Sequence, residues 1–344
     1  MIEFKNVSFS YLSTDNKKID VLDNMNFKIE DGSFVAIAGE NGSGKSTAAK
    51  LMNVLLTPSS GSIFIDGLET SKKENLAKIR RIEGFVFQNP DTQLLNSFVE
   101  EEVAFMSENL GFEADKIEEN VTNALKDCGI EEIRHSQIQT LPAGKKQLVA
   151  IAAAIASQPK IMIFDEPTAV LTPQEIDELM HIMRNLAAEG KSILFISHKL
   201  NEIMAVADRC TVLRKGKYVG TVNTADTNKQ ELSNMMVGRP VQLEVTKSPA
   251  KPGEPVLVVE DFSVPSKLHK GDAVKGVSFE VREGEIVCIA GIDGNGQSEL
   301  VYAISGLEPA SGGTITMCGV DITHAPIRRR SILGMSHIPE DRHK

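Results

Sequence analysis

Residues 39–47 constrain the fold more than any other part of this sequence. They run Gly-Glu-Asn-Gly-Ser-Gly-Lys-Ser-Thr, which fits the phosphate-binding loop pattern G-x-x-x-x-G-K-[S/T]. The apolar segment 34–38 before the loop predicts a strand, and residues 45–55 after it predict a helix. A glycine-rich turn without a ligand is the alternative interpretation. The strand, the helix and the Lys-Ser pair together favour the phosphate-binding loop.

The loop supplies the groups that a nucleoside triphosphate needs. Its glycines let backbone N–H groups surround a polyphosphate, and the N-terminus of the following helix adds a favourable dipole. We expect Lys45 to reach the β- and γ-phosphates and the Ser46 hydroxyl to ligate Mg²⁺. The predicted nucleotide-binding residues of the loop are Gly39, Asn41, Gly42, Ser43, Gly44, Lys45, Ser46 and Thr47.

Two carboxylates end a second apolar segment, residues 161–164. A buried strand has little reason to end in two acids unless a cation or a proton transfer lies nearby. We therefore predict that Asp165 belongs to the Mg²⁺ ligands and that Glu166 orients or deprotonates the attacking water. A strand that simply ends in a turn is the alternative, which the upstream phosphate-binding loop disfavours.

Three more side chains lie at the ends of predicted strands. Gln88 follows residues 84–87, and a glutamine amide can bind both Mg²⁺ and the attacking water. His198 follows residues 192–196, where it is placed to hydrogen-bond the γ-phosphate and the water. Tyr11, near the end of the first strand, can stack on adenine. A structural histidine and an ordinary surface aromatic are the alternatives.

The order of the segments predicts an α/β fold as far as residue 238, with catalytic groups at the carboxyl ends of strands. Residues 2–38 predict short strands separated by turns. Helices are predicted over 98–137, 148–156 and 173–188. Three consecutive acids at 100–102 open one of these helices, and a solvated face is the interpretation that we prefer for them.

Length, charge and cysteines limit the function classes. The 344 residues predict about two domains, and the net charge of −10 argues against a large nucleic-acid-binding surface. The widely spaced Cys128, Cys210, Cys288 and Cys318 predict reduced cysteines rather than a metal site or disulfides. The N-terminus lacks the apolar core of a signal peptide, and the longest apolar run is too short to span a bilayer. We therefore expect a soluble protein whose membrane role comes through a partner.

The C-terminal part of the chain repeats its beginning. Identical residues recur at a constant offset of 252 positions, as from Gly39 to Gly291. In the second loop Gln297 stands in the place of the lysine, and Glu299 stands in the place of a threonine. Because a carboxylate beside a triphosphate repels it, this second loop is predicted to be degenerate.

The repeat sets the predicted domain organisation. Residues 239–255 carry three prolines, a glycine and mixed charge, which predicts a linker. We predict a first domain at 1–238, this linker at 239–255, and a partial second copy at 256–344. The second copy is expected to leave a sheet edge and apolar faces uncovered.

These motifs, in this order, resemble those of the ATP-binding cassette (ABC) ATPases of membrane transporters, and the resemblance covers nearly the whole chain. Residues 39–47 resemble Walker A, and residues 161–166 resemble Walker B with its catalytic glutamate. By position, Tyr11 resembles the adenine-stacking aromatic, Gln88 the Q-loop glutamine and His198 the switch histidine.

The resemblance implies a fold, an activity and partners. The implied fold is a P-loop NTPase domain of ABC type, with an antiparallel β subdomain and a helical subdomain. The implied activity is Mg²⁺-dependent ATP hydrolysis. Its implied catalytic residues are Glu166, His198, Gln88 and Lys45, and its implied Mg²⁺ ligands are Ser46, Gln88 and Asp165. The implied partners are transmembrane permease subunits, a second cassette and a substrate-binding component, without nucleic acid, at the cytoplasmic face of the membrane.

Two subfamilies are represented in the chain. Residues 1 to about 160, through the segments 87–94 and 102–105, resemble the ATPases of energy-coupling factor transporters, which import vitamins and metal ions. The remainder, through residues 166–173 and 291–300, resembles the double-cassette ATPases of sugar and nucleoside importers. The substrate class stays open, as does the choice between a natural fusion, a truncation and an assembly artefact.

The main departure from the family is the signature segment. The family pattern Leu-Ser-Gly-Gly-Gln is Leu-Pro-Ala-Gly-Lys here, at 141–145, and Thr172 replaces the D-loop aspartate. In the family this segment binds the γ-phosphate held by the opposite cassette, whereas Pro142 offers neither a hydroxyl nor an N–H. We therefore predict an asymmetric cassette pair in which the partner supplies the intact signature.

Two other functions stay as alternatives. Pro142 and the degenerate second loop are compatible with a catalytically weak or dead regulatory cassette. A soluble ABC-type ATPase that acts on ribosomes or DNA is the other alternative, which the acidic charge and the short linker disfavour.

Overall fold

The chain divides into two compact units, Met1–Leu243 and Glu244–Lys344. The computed structural model describes residues 1–13, 15–242, 248–267, 270–291 and 294–339. An antiparallel sheet is present in each unit, and the first unit also contains a largely parallel sheet.

The antiparallel sheet of the first unit contains β1 (Ile2–Leu12), β2 (Lys18–Ile29), β4 (Ser60–Ile65) and β5 (Leu68–Glu69), in the order β2-β1-β4-β5. The prediction of short strands over 2–38 was wrong for residues 2–29, where β1 and β2 run for 11 and 12 residues. Asn6 and Asn24 take left-handed φ angles of 51° and 48°, and the register of β1 against β2 shifts between Phe4 and Val7. Polar residues typical of turns therefore form bulges within long strands.

The second sheet contains β3 (Phe34–Ala38), β6 (Glu83–Val86), β7 (Ile161–Asp165), β8 (Ser192–Ile196), β9 (Arg209–Arg214) and β10 (Lys217–Asn223). Their order is β10-β9-β3-β8-β7-β6; β10 pairs antiparallel with β9, and the other neighbouring strands are parallel. β3, β7 and β8 are buried along their whole length, as expected of parallel strands covered on both faces. The predicted strands at 34–38 and 192–196 are confirmed.

Two groups of helices complete the first unit. The helices near the parallel sheet are α1 (Lys45–Met52), α2 (Leu76–Ile82), α6 (Pro173–Ala188), α7 (Leu200–Val206) and α8 (Lys229–Val237). The helices α3 (Val99–Asn109), α4 (Ala114–Asp127) and α5 (Ala143–Ala156) pack on one another and form the predicted helical subdomain. Over the described ranges, no helix combines the length and the apolar character needed to cross a bilayer.

The side chains of β3 alternate between two apolar cores. Phe34, Ala36 and Ala38 belong to the core that the sheet shares with α3 to α6. Val35 and Ile37 belong to the core between the parallel sheet, the antiparallel sheet and α1. This alternation holds β3 rigidly on both faces, and the phosphate-binding loop follows directly from its end.

One helix has its predicted bounds and two do not. α6 spans 173–188 as predicted, because Thr172 and Glu175 form a capping box and a proline occupies the first position. α1 ends at Met52 rather than at residue 55, because Val54 takes a left-handed φ of 58°. α5 begins at residue 143 rather than 148, because Pro142 serves as its N-terminal cap and the polar residues after it are also helical.

Glu102 corrects the interpretation of the acidic run. It is 5% exposed, and its Oε2 accepts hydrogen bonds from the backbone N–H of Leu95 at 2.9 Å and of Asn96 at 2.7 Å. The prediction of a solvated face was therefore wrong for this residue. The loop before α3 folds back over the helix start and presents its backbone donors to the carboxylate.

The second unit repeats the antiparallel sheet of the first. Its elements are β11 (Pro255–Pro265), β12 (Asp272–Arg282), α9 (Gln297–Ser305), β13 (Gly312–Met317), β14 (Val320–Asp321) and α10 (Ile327–Ile332). The sheet order β12-β11-β13-β14 matches β2-β1-β4-β5 at the predicted offset. The predicted α/β fold, with its β subdomain, helical subdomain and smaller second copy, is confirmed.

The counterpart of β3 is not a strand in the second unit. Residues 285–290 form no ladder, and Ile286 is 88% exposed. In the first unit β3 is held between β8 and β9, and the described part of the second unit contains no counterparts of those two strands. The same local sequence therefore lacks the neighbours that would satisfy its backbone groups.

Candidate nucleotide-binding site

The phosphate-binding loop needs glycine at two positions for different reasons. A Cβ on Gly39 would lie 2.4 Å from both the carbonyl oxygen of Leu213 and Oγ of Ser43. Gly44, the N-terminal cap of α1, has a left-handed φ of 99°, and a Cβ there would lie 2.5 Å from Leu22. The cap makes no side-chain hydrogen bond. The first N–H groups of α1 are therefore not covered by a capping side chain, as an anion site requires.

Lys45 is held over the loop by the loop itself. Its Nζ donates to the carbonyl oxygens of Gly39 at 2.9 Å and Glu40 at 3.2 Å. The same Nζ lies 3.4 Å from Oε1 of Glu166. With only 4% of its surface exposed, this cation is stabilised by its three oxygen partners and is already positioned for an anion.

Glu166 is the point where the predicted catalytic residues meet. Besides Lys45, its carboxylate accepts a hydrogen bond from Nε2 of Gln88 at 3.2 Å and lies 3.3 Å from Nδ1 of His198. Its backbone has a left-handed φ of 47°, and its N–H donates to the carbonyl of Ile196 at 3.0 Å. The strained backbone turns the chain sharply at the end of β7 and keeps the side chain at the carboxyl edge of the sheet.

Ser46 and Asp165 form a second contact beside the first. The Ser46 hydroxyl donates to Oδ1 of Asp165 at 2.9 Å. Burial raises the pKa of the Asp165 carboxyl above its ordinary value, and the hydrogen bond from Ser46 opposes part of this change. A divalent cation at this position would favour the charged form of the acid.

The donor set fits Mg²⁺. A serine hydroxyl, an aspartate carboxylate and a glutamine amide are hard oxygen donors, which this ion prefers. Ser46 and Asp165 are in direct contact, and Gln88, two residues beyond the end of β6, reaches the neighbouring Glu166. In addition, the buried Oγ of Ser43 has no hydrogen-bond partner within the described structure, so one polar atom of the loop is left for a ligand.

A cavity of about 420 Å³ lies over the loop. Its lining residues are Val21, Asn41, Gly42, Gly44, Lys45, Ser46, Thr47, Gln88 and Glu166. Tyr11 contacts this lining, because its hydroxyl lies 3.4 Å from Oγ1 of Thr47. The predicted residues are therefore brought together, with Asp165 and His198 in contact with lining residues. Val21 was missed, and its position in β2 carries no motif that would have identified it.

The signature segment takes part in helix capping. Pro142 caps α5 with a φ of −60° and makes no side-chain cap hydrogen bond. A Cβ on Gly144 would lie 2.5 Å from both carboxylate oxygens of Glu175, so α5 and the start of α6 approach closely. Thr172, in place of the D-loop aspartate, is the N-cap of α6. Residues 141–145, all of them described, do not line the cavity over the loop.

Comparison with known proteins agrees with this geometry. The family model described as ABC transporter matches residues 22–169 and 274–343, well over half of the chain. Over 328 residues the chain is 40% identical to the nucleoside import ATP-binding protein NupA of Lactococcus lactis subsp. cremoris, covering 94% of this chain and 64% of that protein. Over 220 residues it is 43% identical to the energy-coupling factor transporter ATP-binding protein EcfA1 of Clostridioides difficile, covering 64% of this chain and 79% of that protein.

A solved structure gives the same result for the fold. The dimeric post-hydrolysis state of the ATP-binding cassette MJ0796, bound to ADP and Pi, matches with a TM-score of 0.60 and 28% identity, covering 65% of this chain and 99% of that chain. The chain spans less than two thirds of the length of NupA. Its relatives include both of the subfamilies that its sequence resembles. The chain belongs to the ABC transporter family, among its ATP-binding proteins.

Proposed function

We propose that this chain binds and hydrolyses Mg-ATP and couples that hydrolysis to solute import through transmembrane partners. The observation that carries the proposal is the convergence of Lys45, Gln88 and His198 on Glu166. The hydrogen bond between Ser46 and Asp165, the two proposed Mg²⁺ ligands next to this cluster, also supports it. Phosphoryl transfer of this kind depends on positioning and charge stabilisation rather than on covalent chemistry by the protein.

The loop and Lys45 bind the phosphates. Backbone N–H groups at the start of α1 face the β- and γ-phosphates, and Lys45 exchanges its contact with Glu166 for phosphate oxygens. Ser46, Gln88 and Asp165 would hold Mg²⁺, which supplies charge neutralisation on the phosphate oxygens when bound. Tyr11, beside Thr47, stacks on the base.

Glu166 then directs the attacking water. Once Lys45 turns to the phosphates, the carboxylate accepts a hydrogen bond from the water and takes its proton as the water oxygen bonds to the γ-phosphorus. The bond from the γ-phosphorus to the bridging oxygen breaks, and ADP leaves with that electron pair. His198 and Gln88, both in contact with the carboxylate, keep it oriented toward the water.

The remaining proposals concern the assembly. We infer that the chain works at the cytoplasmic face of the membrane with permease subunits, a second cassette and a substrate-binding component, and that the helical region at 90–140 contacts the permease. NupA is a nucleoside import protein and EcfA1 an energy-coupling factor protein, which supports import without choosing the solute. The domain division at 1–238, 239–255 and 256–344 is part of the same proposal.

Pro142 supports an asymmetric pair. A proline N-cap leaves no hydroxyl at the start of α5 for the γ-phosphate of an opposite cassette. We therefore propose that this chain contributes a complete Walker-type site and that a partner cassette contributes the intact signature. The same observation favours the second candidate function, a regulatory cassette that binds nucleotide without turnover.

Steady-state ATP hydrolysis tests these proposals. The purified chain is assayed alone and mixed with a cassette that carries Leu-Ser-Gly-Gly-Gln. Glu166→Gln tests the site, and Glu178→Gln on the exposed face of α6 is the matched control. Turnover that needs the partner and is lost only in Glu166→Gln supports the asymmetric pair. Turnover by the chain alone contradicts the asymmetry, and ATP binding without any Glu166-dependent turnover supports the regulatory cassette.

A further inference from the structure

Two glutamines, the half-buried Gln93 and the completely buried Gln147, hold the residue that precedes Gln88. Phe87 follows the last residue of β6, so its backbone groups lie beyond the ladder that pairs β6 with β7. The Phe87 N–H donates to Oε1 of Gln93 at 2.9 Å, and its carbonyl accepts from Nε2 of Gln147 at 3.0 Å. Both backbone groups are thus satisfied by side chains where the sheet no longer reaches them.

The two glutamines come from different parts of the fold. Gln93 closes the short loop after Gln88, and its Nε2 also donates to the carbonyls of Phe85 and Ala150, each at 3.3 Å. Gln147 lies near the start of α5, within the helix that Pro142 caps. The segment around Gln88 is therefore tied to α5 at Gln147 and at Ala150 as well as to its own strand.

The burial of the Gln147 side-chain amide is unfavourable for the stability of the fold. It is completely buried, and its Oε1 has no hydrogen-bond partner within the described residues. A buried unpaired amide oxygen is destabilising, and an apolar side chain of similar length would avoid it. Among the described residues, the one side-chain hydrogen bond of Gln147 is the bond to Phe87. This bond is the one favourable polar contact that accompanies burial of the amide.

We propose that Gln147 and Gln93 are positioning residues, which hold the Phe87 backbone so that the Gln88 side chain meets Glu166. The proposal rests on the proposed function, because Gln88 acts there with Glu166 and Mg²⁺. It adds a link from the first turns of α5, where the signature segment lies, to the hydrolytic site. A displacement of α5 would reach Phe87, and so Gln88, by two routes. Gln147 bonds the Phe87 carbonyl directly, and Ala150 accepts a hydrogen bond from Gln93, which in turn holds the Phe87 N–H.

A double-mutant cycle separates positioning from structure. Gln147→Met keeps the length of the side chain and removes both polar atoms. We expect it to lower kcat by about tenfold or more with little change in KM for ATP, since small displacements of catalytic groups have effects of this size. In a Gln88→Ala background the same substitution should change kcat by less than about twofold, because the residue it positions is gone. Equal losses in both backgrounds would overturn the proposal.

A neighbouring residue provides the matched control. Nζ of Lys146 donates to Oδ1 of Asp91 at 2.8 Å, which joins the same helix to the same segment through an exposed ion pair. Because exposed pairs of this kind contribute little, Lys146→Met should leave kcat within about twofold of the wild type. A tenfold loss in this control would mean that any contact between α5 and the segment matters, which contradicts a specific role for the two glutamines.

Hydrogen exchange tests the proposal without turnover. In the nucleotide-free chain, Gln93→Met and Gln147→Met should speed exchange of the Phe87 amide, which donates to Gln93, by about tenfold or more, with β7 unchanged. Unchanged exchange of the Phe87 amide in both variants would overturn the proposal, whatever the hydrolysis assay gives. If wild-type turnover is absent, the proposed function fails and exchange alone decides this inference. If wild-type turnover is present and the cycle is additive, only this inference fails.

Discussion

Nζ of Lys45 lies 3.4 Å from Oε1 of Glu166. This contact joins the phosphate-binding loop to the end of β7, and it pairs the residue expected to bind phosphate with the residue expected to direct water. An anion that draws Lys45 away leaves the carboxylate free to accept a hydrogen bond from water. In the proposed mechanism, this one ion pair would couple nucleotide binding to the availability of Glu166 as a base.

Replacing Lys45 should weaken nucleotide binding. Lys45→Met removes the cation while keeping the apolar stem, and a hydrogen bond to a charged group contributes about 1.5–3 kcal/mol. We expect the Kd for ATP to rise by about 10- to 100-fold, measured by equilibrium fluorescence titration. Lys78→Met, on the exposed side of α2, is the control. Equal affinities for Lys45→Met and wild type would exclude a phosphate contact.

Removing the histidine should affect turnover more than binding. Nδ1 of His198 lies 3.3 Å from the Glu166 carboxylate, so His198→Ala removes one of the contacts that orient it. We expect kcat for ATP hydrolysis to fall by about tenfold or more, with ATP affinity nearly unchanged. The comparison is His181→Ala, an exposed histidine on α6. A loss of affinity without a loss of kcat would contradict the role.

Glu102 should stabilise the helical subdomain. Glu102→Gln replaces an acceptor of two backbone N–H groups and the Asn96 amide with a neutral group that also carries donors. Because hydrogen bonds to charged groups contribute about 1.5–3 kcal/mol, we expect a loss of that size in the free energy of unfolding by urea. Glu101→Gln, one residue away and exposed, should change it by less than about 0.5 kcal/mol. Equal stabilities of the two variants would show that the buried contacts contribute nothing.

Glu83 should make stability depend on pH. Neither of its carboxylate oxygens has a hydrogen-bond partner within the described residues, and burial raises its pKa well above the ordinary value of 4.5. Between these two pKa values the folded chain binds more protons than the unfolded chain. The free energy of unfolding therefore falls as pH rises through that interval.

The variant Glu83→Val removes this dependence and fits the strand β6. Its stability advantage over wild type should grow as pH is raised from about 4.5 to 8, by about 1–3 kcal/mol in urea unfolding. Glu83→Gln cannot ionise either and should show the same flatter profile without the gain from an apolar side chain. A constant difference between Glu83→Val and wild type at every pH would contradict the assignment.

Motifs and local signals predicted much of the fold and the residues of the site. The bounds of α6 follow from a capping box and a proline, and those of β3 and β8 follow from short apolar runs between polar residues. The loop pattern and the two acids at the end of β7 identified the site, and the structure brings Lys45 and Ser46 of the loop into contact with these acids. The roles of these residues in binding and hydrolysis stay predictions.

Other features required neighbours that are distant in sequence. Glu102 is polar by type and buried by position, because a loop folds onto it. Residues 286–290 repeat the pattern of β3 but form no strand, because a parallel strand exists only where other strands satisfy its backbone. The glutamines around Phe87 belong to no motif that we recognised, and only the tertiary structure shows which backbone groups they hydrogen-bond.

The sequence by itself determined the phosphate-binding loop, the acid-ended strand, the duplication and the family. Each of these depends on residue types at short, regular spacings. The tertiary structure decided that Lys45, Gln88 and His198 share one carboxylate, and that Gln147 reaches Phe87 from another helix. Contacts of that kind depend on how strands and helices pack, and packing is set by the whole chain rather than by any local segment.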